Sequence, residues 1–226
     1  MKLSIVIPAY NEEKTISQVI SKVAALNVKK EIIVVNDAST DKTAPILESL
    51  SAKFLLKVFH HDTNQGKGAA VKTGVKVAKG EYVVIQDADL EYQPQQILKL
   101  LKSAEKNNWP VVYGSRFLGS CQKMTWQFWL GNRLLTLLTN FLFKVKLTDM
   151  ETCYKLFKRE LIQSLDWQAK RFDFEPEITV RILKKGIKIR EIPIDYVARK
   201  KSEGKKISFR DGLEAAALLF DLKKSL

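Results

Sequence analysis

Hydrophobic positions in the first half of the chain fall into short β-branched runs, separated by longer stretches whose apolar residues recur at helical spacing. Residues 3–8, 31–36, 55–60 and 82–86 read as strands, and 111–114 as a fifth. Helix signals lie between them: Glu12 and Glu13 near one start, Ser39 or Thr40 as the cap of the next, and Pro94 opening another. This alternation predicts an α/β fold in which a parallel sheet is covered by helices on both faces and binds ligands at its strand ends.

The second half is less regular. An amphipathic, aromatic stretch at 124–146 precedes a strand at 153–157, a helix at about 175–185 and a strand at 187–193. Residues 199–206 are basic and poor in apolar side chains, which reads as a loop before a last amphipathic helix from about residue 208. No repeat or Pro/Gly/Ser-rich linker divides the halves, and 226 residues with 46% hydrophobic content suffice for one large core, so a single domain is expected.

The apolar stretch 134–143 is about half the ~20 residues a spanning helix needs, and Thr136, Thr139 and Asn140 interrupt it. Residues 3–8 are too short for the apolar core of a signal peptide. The expectation is a cytoplasmic protein that at most sits on a membrane. A net charge of +13 suits polyanions, whether nucleic acid, anionic lipid or nucleotide diphosphates. Cys121 and Cys153 stand in no metal-ligand spacing, which argues for a reducing compartment and against a disulfide framework.

Candidate chemistry gathers at the strand ends. Gln86-Asp87-Ala88-Asp89-Leu90-Glu91 follows directly on an apolar strand. Its paired carboxylates either cap a turn or hold a hard cation, Mg²⁺ or Mn²⁺, against a substrate diphosphate. Asp37, in Asn36-Asp37-Ala38-Ser39-Thr40-Asp41, ends a second strand and can accept from a nucleobase N–H or a ribose hydroxyl. Pro8-Ala9-Tyr10-Asn11-Glu12-Glu13 ends the first strand, with Tyr10 able to pack on a base and Glu12 to reach a polar edge. In Asn64-Gln65-Gly66-Lys67-Gly68-Ala69-Ala70 small residues permit close backbone approach, and Lys67 can meet phosphate. Neither a P-loop nor a dinucleotide fingerprint is present. His60 and His61 read as surface or strand-end residues.

These motifs, with Gly114-Ser115-Arg116, occur in the order seen in glycosyltransferase family 2, and over residues 4–207 the chain most resembles its dolichyl- and polyprenyl-phosphate sugar synthases. The resemblance implies a GT-A fold and an inverting hexosyl transfer from a nucleotide-sugar donor such as GDP-mannose or UDP-glucose. Residues 1–116 would form the nucleotide-sugar half, 117–207 the acceptor half and 208–226 a C-terminal amphipathic helix. It implies Pro8, Tyr10, Glu12, Val35, Asp37, Lys67, Asp87 and Ala88 around the donor, and Asp87 and Asp89 at the metal. Glu91 either joins the metal or is a solvent-facing helix-start residue. The sequence departs from the family where Asn36-Asp37-Ala38-Ser39 stands for a frequent Asp-Asp-Gly-Ser and where Glu91 stands for a frequent glutamine.

On the acceptor side the resemblance singles out Arg116, Arg133 and Arg199, joined by Lys205 or Lys206, for phosphate. A polyprenyl phosphate is already an anionic nucleophile, so Asp89 and Arg116 would act on charge and position and no base is required. Asp149 would hold Arg133 or Lys155, or act as base if the acceptor were a hydroxyl of a saccharide, protein or small molecule. Glu175 is a weaker candidate, with helix-start placement as the simpler account. The aromatic stretch 126–143 is either core or an interfacial helix on an anionic membrane. A membrane-protein partner is compatible with this reading. Nucleic acid is not expected, because paired acids at a sheet edge repel a phosphate backbone.

Overall fold

The computed structural model describes residues 1–171, 173–199 and 209–224. A seven-stranded sheet runs through it in the order β3-β2-β1-β4-β7-β5-β8. The strands are β1 (Leu3–Ala9), β2 (Lys30–Asn36), β3 (Lys57–His60), β4 (Tyr82–Ile85), β5 (Val111–Ser115), β7 (Lys155–Lys158) and β8 (Arg190–Pro193). All neighbours pair in parallel except β7, which is antiparallel to both β4 and β5. A separate parallel pair joins β6 (Cys121–Gln122) to β9 (Tyr196–Val197).

The expected α/β fold is therefore present as a mostly parallel sheet with one reversed strand. The residues of β1 and β2 are buried almost without break, as strands covered on both faces must be. The buried Ser4 in β1 donates to Glu31 in β2 at 2.5 Å, and Glu31 also takes the Lys57 ammonium at 2.6 Å.

The helices are α1 (Ile16–Ala24), α2 (Thr43–Phe54), α3 (Lys67–Val77), α4 (Ile97–Asn107), α5 (Trp126–Phe143), α6 (Arg159–Gln163), α7 (Phe174–Lys184) and α8 (Phe209–Lys224). In α1 the buried positions Ile16, Val19, Ile20 and Val23 form one face, as their spacing predicts. Leu55 does not open β3 as expected. It ends α2 in the left-handed conformation, φ 51°, and β3 begins at Lys57. The strand expected over 187–193 is shortened to Arg190–Pro193.

Helix α5 is inverted relative to a core helix. Thr136 and Thr139 are buried, whereas Trp126, Leu130, Leu134, Leu137 and Phe141 are exposed, Trp126 at 69% and Phe141 at 81%. It packs on α8, and a small apolar cluster of Leu147, Met150, Val180 and Leu219 lies beneath the pair. Among the described residues no helix is long and apolar enough to cross a membrane.

Candidate active site

The sheet order sets the C-terminal ends of β2, β1 and β4 side by side, and each leads into a turn with one left-handed residue: Ala38 (φ 57°), Asn11 (φ 52°) and Leu90 (φ 63°). Non-glycine residues adopt this conformation at a cost and collect at functional sites. The first two turns are tied together. Thr40 N–H donates to Asn11 Oδ1 at 2.8 Å, and Asn11 N–H donates to Ser39 Oγ at 3.0 Å. Ser39 and Thr40 thus serve the neighbouring turn and do not cap α2, which starts at Thr43.

Asp37 is almost fully buried and its carboxylate is engaged within the protein. Oδ1 lies 2.7 Å from His61 Nδ1 and accepts Gln65 N–H at 2.9 Å, while Oδ2 accepts Gly66 N–H at 2.7 Å. His61 Nε2 is 2.9 Å from Thr73 Oγ1, so His61 is a mostly buried partner of Asp37, not the surface residue expected. No spacing or motif marks this pairing in the sequence. Asp37 thus fixes the turn that delivers Lys67. Pro8 and Tyr10 are half-buried at the end of β1, and Val35 and Ala88 are buried.

The turn at Asn64–Ala70 approaches backbone closely, as its small residues predict, but the partner is the chain itself. A Cβ on Gly66 would fall 2.3 Å from the Lys170 carbonyl oxygen, and one on Gly68 2.4 Å from that of Ala169. Lys67 Nζ reaches Asp87 Oδ1 at 2.9 Å and Glu175 Oε1 at 2.8 Å. Burial opposes its charge, yet Asp87 and Glu175 outweigh burial and hold the ammonium well above its usual range. Burial would likewise raise the Asp87 carboxyl, and Lys67 brings it below its usual value.

Asp89 Oδ2 pairs with Arg199 Nη2 at 3.1 Å, and Arg199 Nη1 reaches Glu12 Oε2 at the same distance. Burial first, then the charges of Asp87 and Glu91, push the Asp89 carboxyl up to about 7. Glu91 is buried and lines the same cavity as Asp87, so it is not the solvent-facing residue of the alternative reading. Its Oε2 accepts the Tyr196 hydroxyl at 2.7 Å and its Oε1 the Arg199 N–H at 2.6 Å. Among the described residues no three His, Cys, Asp or Glu side chains converge as a metal cluster.

On the other side, Asp149 is fully buried and grips Arg116, not Arg133 or Lys155 as expected. Arg116 Nε and Nη2 each donate at 2.7 Å to the two carboxylate oxygens, and Nη2 also reaches Asn132 Oδ1 at 2.8 Å. Lys155 donates instead to the carbonyls of Met150 and Thr152. Arg133 is half-buried, its guanidinium 5.4 Å from the Phe117 ring centre. Lys205 and Lys206 lie outside the described residues.

One cavity of about 440 Å³ joins these parts. Lys67, Asp87, Arg116, Glu151 and Glu175 line it, and so do Leu134 and Leu135 of α5 and Leu213 of α8. Nothing in the sequence marks Glu151 as buried beside Glu175.

Residues 4–166 match the family described as Glycosyl transferase family 2. The chain belongs to that family. This glycosyltransferase is 29% identical over 213 residues to the dolichol-phosphate mannosyltransferase of Pyrococcus furiosus, covering 91% of this chain and 59% of that protein's length. It is equally identical, over 207 residues, to an uncharacterized protein of Methanocaldococcus jannaschii, covering 87% of this chain and 82% of that one. Among solved structures, mannosyl-3-phosphoglycerate synthase from Rubrobacter xylanophilus superimposes with a TM-score of 0.76 at 20% identity, over 100% of this chain and 73% of that one. Glucosyl-3-phosphoglycerate synthase from Mycobacterium tuberculosis, solved with Mn²⁺, UDP and phosphoglyceric acid, gives 0.74 at 18% identity, over 99% and 78%. These likenesses show the expected GT-A fold.

Proposed function

We propose that this glycosyltransferase moves a hexose from a nucleotide diphosphate sugar to a polyprenyl or dolichyl phosphate at a membrane surface, working as one unit with a donor half and an acceptor half. The carrying observation is the cavity itself, whose walls pass from the Lys67–Asp87–Arg116 cluster to Leu134 and Leu213, side chains that are also exposed on the apolar outer faces of α5 and α8. An apolar helix face above a charged pocket suits a lipid whose headgroup must reach the charges. Exposed Lys144, Lys146, Lys223 and Lys224 near the ends of the two helices favour an anionic leaflet, at its cytoplasmic face. The printed name of the Pyrococcus relative supports a lipid phosphate acceptor.

Asp87 and Asp89 fit a divalent ion. Both offer hard oxygen donors two positions apart at the end of β4, and the Asp89 carboxyl is raised by burial first and then by the charges of Asp87 and Glu91. Such an ion supplies charge neutralisation for a departing diphosphate. The related structures solved with Mn²⁺ or Mg²⁺ and UDP support Mg²⁺ or Mn²⁺ here. Arg116, oriented by Asp149 and Asn132, serves phosphate on the acceptor side. Arg133 and Arg199 are the further candidates. Asp149 is committed to Arg116 and presents no base, and an anionic phosphate oxygen needs none.

A hydroxyl acceptor is the second reading, favoured by one observation: Glu151 lines the cavity with its carboxyl pushed up to about 8, where it could take a proton. The deciding experiment is Mn²⁺-dependent transfer of label from UDP-glucose and GDP-mannose into the organic phase with a short polyprenyl phosphate, in wild type and Asp89→Ala. Lipid-linked label lost in the variant supports the proposal. Donor hydrolysis without lipid product shifts it to the hydroxyl acceptor.

A further inference from the structure

Each aspartate proposed as a metal ligand already holds a cation of the protein's own, and each of those cations also holds a glutamate. Lys67 Nζ lies 2.9 Å from Asp87 Oδ1 and 2.8 Å from Glu175 Oε1. Arg199 Nη2 lies 3.1 Å from Asp89 Oδ2, and its Nη1 lies 3.1 Å from Glu12 Oε2. All six side chains are less than one-fifth exposed. The same pattern, aspartate, cation, glutamate, thus occurs twice and is assembled from separate elements. Asp87 and Asp89 follow β4, Glu12 follows the neighbouring β1, Lys67 opens α3, Arg199 follows β9 and Glu175 stands in the first turn of α7.

The second acid in each set needs a reason. Asp87 alone balances the charge of Lys67, and burying a further carboxylate costs desolvation. Capping of α7 does not explain Glu175, because neither of its carboxylate oxygens takes a backbone N–H. Oε1 holds Lys67, and Oε2 has no hydrogen-bond partner among the described residues. A second acid is required only if the aspartate is at some stage engaged elsewhere. A divalent ion at Asp87 and Asp89 does this, since it draws both carboxylates away from Lys67 and Arg199. A buried cation left with no anion at all would be strongly disfavoured.

We propose that Glu175 and Glu12 are positioning residues that keep Lys67 and Arg199 beside Asp87 and Asp89 when a divalent ion takes the aspartates. The side of each cation that faced an aspartate is then turned to phosphate oxygen. This rests on the metal site proposed above, and it gives Glu175 and Glu12 a part in loading that site. A bare ion has to separate two buried ion pairs, whereas an ion arriving with a diphosphate supplies both cations with new anions. Ion and diphosphate therefore favour each other's binding by one common factor, which the two glutamates set.

The test measures two affinities in wild type, Glu175→Gln, Glu12→Gln, Lys67→Met and Lys72→Met. Electron paramagnetic resonance of free Mn²⁺ reads binding of the bare ion, and calorimetry reads binding of preformed Mn²⁺–UDP and Mn²⁺–GDP. Glu175→Gln leaves Lys67 with Asp87 as its one acid. Bare Mn²⁺ should then bind about tenfold more weakly, the scale on which one charge at contact distance shifts its neighbour's equilibrium, while the Mn²⁺–nucleotide affinity stays near wild type. Glu12→Gln should do the same through Arg199 and Asp89. Lys67→Met should move the other way, with bare Mn²⁺ about tenfold tighter and Mn²⁺–nucleotide weaker. Lys72→Met, whose pair with Asp166 is exposed, should match wild type in both.

A Glu175→Gln or Glu12→Gln protein with wild-type affinity for bare Mn²⁺, or one that loses both affinities alike as a merely structural role requires, overturns the positioning role of that glutamate. So does a Glu175→Gln protein that shifts in the same direction as Lys67→Met. In each of these outcomes wild type still binds Mn²⁺ with nucleotide, and the metal site stands. Wild type that binds Mn²⁺ neither bare nor with nucleotide overturns the metal site and the role of the glutamates together.

Discussion

Replacing Lys67 by methionine removes one ammonium from between two carboxylates while keeping the bulk of the side chain. Lys67, Asp87 and Glu175 are each less than one-fifth exposed, and the two ion pairs measure 2.9 and 2.8 Å. Removing one partner from a buried pair typically costs about 3–5 kcal/mol, because the remaining charge stays buried without compensation. At about 2–4 °C per kcal/mol for a chain of this size, Lys67→Met should melt roughly 10 °C below wild type in chelator. Lys72→Met is the control. Its ion pair with Asp166 is exposed on both sides, so little stability should be lost, about 1 kcal/mol at most. Excess Mn²⁺ should then raise the melting temperature of Lys67→Met more than that of wild type, since an ion at Asp87 no longer competes with the lysine. A site filled at about one hundred times its Kd returns about 2.7 kcal/mol. A variant as stable as wild type would refute the charged cluster. A variant indifferent to Mn²⁺ would refute Asp87 as a metal ligand.

Gly68→Ala should destabilise by about 2–3 kcal/mol in urea unfolding, reversing the ~1 kcal/mol gain usual for this change in a helix, because the new Cβ meets the Ala169 carbonyl oxygen at 2.4 Å. Ala38→Gly should stabilise by up to about 1 kcal/mol in the same assay, since Ala38 holds φ 57°. The Glu151 carboxyl is raised from 4.5 to about 8 by burial and by Glu175, with Asp149 adding to the rise and Lys155 and Arg116 opposing it. Between those values the folded protein keeps a proton that the unfolded chain has lost, so this group makes stability fall as pH rises from about 4.5 to about 8. Glu151→Gln should remove that slope, gaining on wild type across this window in melts taken at several pH values. Phe141→Ser with Trp126→Ser should weaken co-sedimentation with anionic vesicles and leave the melting temperature nearly unchanged, because both side chains are exposed.

The fold was legible where local signals agree. β1, β2 and β4 carry apolar runs that end in acids or turn residues, and parallel pairing then brings Asp37 and Asp87 to one edge of the sheet. The reversal of β7 was not legible, because a period-two pattern carries no strand direction. Side-chain partners were harder still. His61 meets Asp37, Lys67 meets Glu175, and Asp149 meets Arg116 across 24, 108 and 33 positions of sequence. Sequence marks several of these residues as candidates but not their partners, and only packing shows that burial forces the pairs together.

Helix α5 shows the same limit in its plainest form, because its amphipathic pattern was visible and its orientation was not. Asn132, Thr136 and Asn140 recur every four residues and face inward. They accept from Arg116 Nη2, from Met150 N–H and from Leu147 N–H respectively. The segment they hold carries Asp149, which in turn fixes Arg116. The polar stripe is thus required inside to satisfy buried backbone donors and to aim an arginine into the cavity, and the apolar stripe is left outside by geometry. A globular protein ordinarily buries the second stripe and exposes the first. The inversion ties the outer apolar face to the cavity-lining Arg116 through one helix, so whatever covers that face bears on the element that positions Arg116.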